Sequence, residues 1–563
     1  MKRPGLLFAM CIVAIAAAAL VVRMPRLNLR PMHCDEAVQA VNCGKLFDAE
    51  VRKDYGAYRY DPEEYHGPTL NWLTLPALWL GGTHSFAESS QSDYRIVPVV
   101  FGAGLVLLLL LVADGLGRPA AVIAAVLTAA SPAMVFYSRY YIHEMLLVFF
   151  TFATLGCAWR YVRSGAIGWA IAAGASLGLM HATKETWVLA AAAMVAGLLG
   201  AVVWTRLCAA LGGTGCLPAS AVPTGRQAAR ATLRLAPILA AAAVACLVSV
   251  ALYSSFFTYW RGPVNSILTY ATYLHRGGGG EHAHPWYYYL QLLVYPCPMC
   301  GYFWTEGLIV ALAVVGFIAA AGTQAPSEPQ RAFGRFLAFY TLALVLIYAA
   351  IPYKTPWCML SFFHGMILLA GIGAWTMLRW MPGWLPKVLL CLLLAPEVAH
   401  LGWQCYTLNF RFPADSRNPY VYAHTTTDTV KLAEQVERLA DASVEGRDMV
   451  IHVVTDENCW PLPWYLRQFK HVAYPRTVED WCYWQEVDEW CFRQAITGWL
   501  DDPAEYLPAS VLIVAPDVYP QIEPHLRAAY KPQGMRSLRP QVFVMVLVRE
   551  DLWSRWESAQ RAP

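Results

Sequence analysis

Residues 138–161 read SRYYIHEMLLVFFTFATLGCAWRY. A polar turn carrying Arg139, His143 and Glu144 runs straight into an apolar stretch that meets no further charge until Arg160. The hydrocarbon core of a bilayer takes roughly 20 apolar residues of helix, so this stretch, 143–161, reads as a span with its polar turn at the membrane surface. Comparable runs lie near 5–22, 95–113, 118–136, 166–182, 186–206, 235–256, 306–322, 334–351, 359–378 and 385–402. Together they predict an α-helical polytopic membrane protein with about eleven transmembrane helices. Leu70–Leu80 is apolar but short and reads as a helix lying at the interface. Lys2 and Arg3 before an Ala-rich run look like a signal peptide. The run is long for one and lacks a clear cleavage site before Arg23, so an uncleaved first span is expected.

Composition agrees. Of 563 residues, 57% are hydrophobic and 14% charged, whereas a soluble domain carries about 25% charged residues. The net charge of +3 is too balanced to argue for nucleic acid as a partner, and no nucleic-acid-binding signature accompanies it. The 15 cysteines are scattered, mostly in apolar runs where a thiol behaves as a small hydrophobe.

The loops orient the chain. With a cytoplasmic N-terminus, the inside segments hold Lys2, Arg3, Arg118, Arg160, Arg163, Arg206, Arg226, Arg230, Arg234, Arg331, Arg335, Arg379 and Lys387. The short outside loops hold only Arg139, Lys184 and Lys354, as the bias of basic residues toward the cytoplasm predicts. This places the protein in the plasma (inner) membrane as a multi-pass chain among membrane lipids. It also sends Asp35-Glu36, His66-Gly67-Pro68, the 138–144 turn, Lys184-Glu185 and Lys354 to one outer face. A random scatter would use both faces, so the coincidence points to a site at the outer membrane–water boundary.

After residue 402 the composition changes. Residues 427–442 have helical period, and 449–454, 510–515 and 541–548 read as buried strands, which predicts a small α/β domain outside the membrane. The expected division is a membrane domain over 1–402 and an extracytoplasmic α/β domain over 403–563. No phosphate-binding glycine loop is present there.

The residues at the outer face suggest chemistry, each beside a plainer alternative. Asp35 or Glu36 can act as a general base on an acceptor hydroxyl, or be a solvated loop acid. His66 can bind a phosphate or metal, or cap the helix that follows. Arg139 and His143, four apart, share a face if the turn is helical; with Glu144 they can hold a phosphate, or a divalent cation through His143 and Glu144. Glu144 also suits a helix N-terminus on its own account. Lys184 and Lys354 can pair with a lipid phosphate; alternatively Lys184 neutralises Glu185 and Lys354 snorkels. Cys297-Pro298-Met299-Cys300 has no second pair at zinc-site spacing. Cys34 and Cys43, or Cys459, Cys482 and Cys491, are further candidates for pairing. The aromatic run Trp286–Tyr289 reads as an interfacial belt rather than a sugar platform.

Taken together, DEA at 35–37, YHGP at 65–68, SRYYIHEM at 138–145, ATKETW at 182–187 and PYKTPW at 352–357 resemble the GT-C glycosyltransferase superfamily. Within it the chain is similar to protein O-mannosyltransferases and aminoarabinose lipid A transferases, and the 138–144 turn resembles the second acidic loop of oligosaccharyltransferase catalytic subunits. With NPYVYAHT at 418–425 and WPLPWYLR at 460–467, the set looks most like a prokaryotic family labelled flippase activity-associated protein. The resemblance implies a GT-C-like fold and transfer of a sugar, with inversion, from a polyprenyl-phosphate donor to a protein, lipid or glycan acceptor on the outer face. It implies Asp35 as base, with Glu36 and Glu144 as the accompanying catalytic acids. His66, Arg139, His143, Lys184 and Lys354 would lie near the donor phosphate. The His143-Glu144 pair replaces a paired-acid motif, so no cofactor is firmly implied and a divalent cation remains an alternative. A lipid-linked glycan flippase, or a non-catalytic component of an envelope glycan assembly, is the competing reading.

Overall fold

The computed structural model describes residues 5–52, 59–62, 66–210, 235–276, 280–295, 302–322, 327–455, 458–475, 509–526 and 528–561. Tyr65, the Cys297–Cys300 pair, Cys482 and Cys491 lie outside the described residues. Among the described residues, Cys34 and Cys43 are separate thiols. The chain packs as two units: Met1–Leu29, Lys45–Gly82 and Ser90–Tyr422 form the first; Arg30–Gly44, Thr83–Ser89 and Ala423–Pro563 form the second.

The first unit is helical. Among the described residues, eight of its helices are long and apolar enough to cross a membrane: Leu6–Arg23, Gln91–Leu116, Glu144–Ser164, Trp187–Ala210, Leu235–Tyr253, Glu328–Ala350, Pro356–Trp380 and Leu385–Arg411. Ile167–His181 and Gly307–Ala321 are shorter apolar helices where two further spans are expected. The stretch expected as one span over 118–136 is two helices, Arg118–Ala130 and Pro132–Ser138, bent by 57°. Pro132 lacks the N–H that would continue the ladder, and the Ser131 side chain caps the new helix by accepting from the Met134 amide at 3.2 Å. The chain is a multi-pass membrane protein.

Small residues let these helices touch backbone to backbone. A Cβ placed on Gly174 or Gly178 would fall 2.1 Å or 2.6 Å from the carbonyl oxygens of Ala241 and Ala245 on the helix Leu235–Tyr253. Gly316 and Gly373 do the same for the pair Gly307–Ala321 and Leu360–Trp380. In hydrocarbon, where apolar burial drives little, such close approach is what holds helices together. Thr69–Leu80 is a helix, and it buries Thr69, Asn71 and Thr74 together with Leu70, Leu75 and Leu78.

Two buried charges fix the bend that leads to the 138–144 turn. Arg23 donates to Ser138 Oγ at 3.0 Å, Thr128 O at 2.9 Å and Ala129 O at 3.1 Å, tying the first helix to both halves of the bend. Glu306 accepts from the Ala133 amide at 2.7 Å and from the hydroxyls of Ser131 and Tyr420, each at 2.8 Å.

The second unit is α/β. Its strands β1 (Val450–Val454), β2 (His471–Ala473), β3 (Val511–Val514), β4 (Tyr530–Arg539) and β5 (Val542–Arg549) form one sheet in the order β2-β1-β3-β5-β4. β1 is parallel to β2 and β3, with Ile451 opposite Val511; β5 runs antiparallel to β3 and β4. β3 is buried along its whole length, the pattern of a strand covered on both faces. Leu432, Val436 and Leu439 of the helix Thr427–Ala442 pack with Ile451, Val453, Ile513 and Val546 into the core. β2 and β4 escape the hydrophobic pattern because β2 has three residues and β4 is an edge strand of sequence YKPQGMRSLR. Its register shifts between Pro532 and Met535, around Gly534, whose φ of 88° a side chain would resist.

Candidate active site

In the second unit the adjacent acids have different fates. The helix Cys34–Arg52 opens with both in its first turn, where the dipole favours negative charge. Glu36 turns back to accept from the His33 amide at 3.0 Å and from Arg30 Nη2 at 3.1 Å, and it is fully buried. That is a helix-capping role with an ion pair, so its carboxylate is committed to the local fold. Asp35 is exposed, and its amide donates to His33 Nδ1 at 3.1 Å.

The segment around Asp35 is pinned on both sides. The Met32 amide donates to the Tyr465 hydroxyl at 2.9 Å, and Thr425 Oγ1 donates to Met32 O at 2.6 Å. Cys34 Sγ donates to Trp460 O at 3.4 Å and receives Arg539 Nη1 at 3.5 Å. Burial pushes the Cys34 thiol above its ordinary pKa, against the opposing pull of Arg539. The motifs NPYVYAHT and WPLPWYLR therefore furnish the scaffold on which Asp35 sits.

In the first unit, three of the outer motifs converge. Lys184 forms an ion pair with Glu144, the first residue of the helix Glu144–Ser164, and both side chains are buried. His66 Nδ1 lies 2.8 Å from Glu185 Oε2, and the Tyr60 hydroxyl donates to Glu185 Oε1 at 3.4 Å. Lys184 and Glu185 thus each find a partner from another loop, and the Lys184 charge adds a smaller pull on Glu185. Burial, the largest single influence, pushes the Glu185 carboxyl up, but the charge and hydrogen bond of His66, a backbone hydrogen bond and the Lys184 charge together hold it below its ordinary value.

His143 joins the two pairs. Its ring meets that of His66 edge-on at 5.1 Å, and its Nε2 lies 3.0 Å from Gly67 O. A carbonyl oxygen only accepts, so Nε2 carries the proton. Nδ1 is buried with no partner among the described residues. A second proton there would be a buried unpaired charge, so the ring is neutral and offers an acceptor rather than a cation. Gly67 also packs against the backbone before Lys184: a Cβ on it would lie 2.2 Å from Ala182 O.

The remaining cations stand elsewhere. Arg139 is buried and donates to the carbonyls of Arg23, Pro25 and Arg26 at 2.5, 2.8 and 3.1 Å, which holds the turn after the first helix. Lys354 is buried with its ammonium on the carbonyls of Ile351 and His284, and among the described residues it meets no carboxylate. Burial lowers its pKa. Among the described residues no three His, Cys, Asp or Glu side chains are gathered as a metal site, and Glu144 faces an ammonium. The pair His143 and Glu144 thus does not fit a divalent cation by itself.

Sequence reasoning offered Glu185 only as a neutralising neighbour of Lys184 in one of two readings and gave Tyr60 and Gly67 no role. The only available sign was position: Glu185 lies in the same outer motif as Lys184, one residue on.

Residues 73–263 match the family model described as dolichyl-phosphate-mannose-protein mannosyltransferase. No curated protein matches the chain in sequence. Among solved structures, the chain is similar to ArnT from Cupriavidus metallidurans in the apo state, with 16% identity and a TM-score of 0.61 over 96% of this chain and 98% of that one. The same protein bound to undecaprenyl phosphate matches with 16% identity and a TM-score of 0.61, over 95% and 97%. The oligosaccharyltransferase of Archaeoglobus fulgidus tethered to an acceptor peptide matches with 12% identity and a TM-score of 0.50, over 91% and 70%. At these identities the likeness concerns the fold. The chain is a multi-pass membrane protein with an ArnT-like fold, and its residues 73–263 match the dolichyl-phosphate-mannose-protein mannosyltransferase family model.

Proposed function

We propose that the protein transfers a sugar from a polyprenyl-phosphate donor to an acceptor hydroxyl or amide on the outer face of the plasma membrane, with inversion, and that Asp35 is the base. The observation that carries the assignment of the base is that Glu36 is buried and spent on Arg30 and His33, whereas Asp35 is open to solvent. An exposed carboxylate can take the acceptor's proton as the acceptor attacks the anomeric carbon, while the bond to the phosphate oxygen breaks. The departing lipid phosphate needs cations, and Lys184 and Lys354, the latter on the carbonyls of Ile351 and His284, are the groups proposed for it. The family match over 73–263, which contains the Glu144–Lys184 and His143 motifs, supports the donor class. Orientation follows from the basic inside loops.

The test is sugar transfer by the purified protein in lipid from a panel of polyprenyl-phosphate sugars, wild type against Asp35→Asn. General-base loss predicts a drop of about 10²–10⁴ in rate with the fold intact. Undiminished transfer by Asp35→Asn would overturn Asp35 as the base. Absence of transfer from every donor, with lipid moving across the bilayer, would make the protein a flippase.

A further inference from the structure

Independently of which group is transferred, we propose that the helix Arg261–Arg276 lies along the membrane surface with one face in the lipid, and that it is the strap by which the bilayer holds the Glu185–His66 pair in place.

The helix is fastened at two points to residues that mark the membrane boundary. A Cβ on Gly262 would fall 1.9 Å from the Tyr253 carbonyl oxygen, so the first turn rests on the backbone at the end of the span Leu235–Tyr253. Further along, the Tyr270 hydroxyl accepts from Trp187 Nε1 at 2.7 Å, and Trp187 opens the span Trp187–Ala210. Between Trp187 and Tyr253 the chain crosses and returns, which brings both residues to one side of the bilayer. Gly262 and Tyr270 stand about 12 Å apart along the axis of an α-helix. A helix that touches a span end at each of these points runs along the boundary and does not rise from it.

The helix is amphipathic in the sense opposite to that of a soluble fold. Gly262, Ser266 and Thr269 are buried against the protein, whereas Val264, Ile267, Leu268 and Ala271, spaced as one helical stripe, are exposed, Ile267 by 68%. In water such a stripe would turn to the core. Facing outward, with Arg261 and Arg276 at the two ends of the helix, it is the pattern of a helix half-sunk at the headgroup level of a bilayer. Trp260, exposed by 64%, precedes the helix, and the indole is a side chain that settles at that level. A second protein would also cover an apolar stripe, but Val264, Ile267 and Leu268 lie between the two points already at the lipid boundary.

The inner face reaches the buried charges. Thr269 Oγ1 donates to Pro62 O at 3.1 Å, close in sequence to Tyr60, whose hydroxyl donates to Glu185 Oε1 at 3.4 Å. Trp187, held by Tyr270, closely follows Glu185 itself. The helix holds both the segment that reaches Glu185 and the segment that carries it, and seating its outer stripe in lipid restrains both.

The test uses the full chain in nanodiscs of phosphatidylethanolamine and phosphatidylglycerol, with benzoylphenylalanine in place of Ile267 and, separately, of Leu198, an exposed residue of the span Trp187–Ala210. After illumination, mass spectrometry is expected to find phospholipid attached at 267 as at 198, and the same substitution at Val264 gives a second reading. No lipid at 267 or 264 would overturn the surface placement, and a cross-link to a second copy of the chain would assign the stripe to a protein contact instead. For the strap, hydrogen exchange compares wild type with Ile267→Asp in the same nanodiscs. Losing the burial of one large apolar side chain is expected to speed exchange of the amides at 183–187 about 10-fold, while β1 and β3 of the second unit exchange as in wild type. If Ile267→Asp unfolds the chain, Ile267→Ser reads the same amides. Unchanged exchange at 183–187 would overturn the hold on Glu185.

Discussion

Glu185 illustrates how much a single residue's role depends on its partner. In sequence it is a neutral half of a Lys-Glu pair; in the fold its carboxylate belongs to His66. Its pKa lies below the ordinary carboxylate value of 4.5 because His66, with smaller help from a backbone hydrogen bond and the Lys184 charge, offsets the upward push of burial. A depressed carboxyl contributes stability above the unfolded pKa, and that contribution is lost as pH falls through the folded value. Glu185→Gln is therefore expected to cost about 1–3 kcal/mol at pH 7 and to flatten the loss of stability below about pH 4.5. Thermal melts at pH 7 and pH 3.5 read both effects, and an acid limb as steep in the variant as in wild type would show the pair to be inert. Asp35 and Glu36 make the same point in reverse, since adjacency could not separate them and only Glu36's partners did.

At the scale of elements, the helices are read from apolar length and their contacts are not. Ile167–His181 and Leu235–Tyr253 meet because Gly174 and Gly178 leave room for the Ala241 and Ala245 carbonyls. Gly174→Val should force the two apart, at about 1–3 kcal/mol, and lower the midpoint of thermal unfolding in detergent. Gly168→Val in the same helix is the control, because nothing lies within 4 Å of its Cβ position. Equal midpoints for the two variants would dismiss the close contact. The bend at Ser131-Pro132 was also open to sequence in principle, as the proline is visible. A single hydrophobic window over 118–136 averages across it, because hydropathy counts apolar residues and ignores the missing amide hydrogen.

For the whole molecule the informative property is the sidedness of charge. The expected odd number of spans from a cytoplasmic N-terminus would leave the C-terminus outside. Alkaline phosphatase fused after Pro563 should then be active, and green fluorescent protein fused after Gly165, behind Arg160 and Arg163, should fluoresce. The reverse pattern would invert the topology and move the Glu144–Lys184 and His66–Glu185 pairs to the cytoplasmic face.

What the sequence determined by itself follows from short-range physics. Apolar length places the helices, and alternation of apolar runs with a helical stretch announces the α/β unit; each acts over one element. Tertiary structure decided which charges meet. It set Lys184 on Glu144 and Glu185 on His66, took Arg139 for the backbone carbonyls of Arg23, Pro25 and Arg26, and mounted Asp35 on residues 425, 460, 465 and 539. Those partners lie tens to hundreds of positions apart. A buried charge accepts whatever counter-group the packing of distant helices and strands delivers, and no local pattern encodes that delivery.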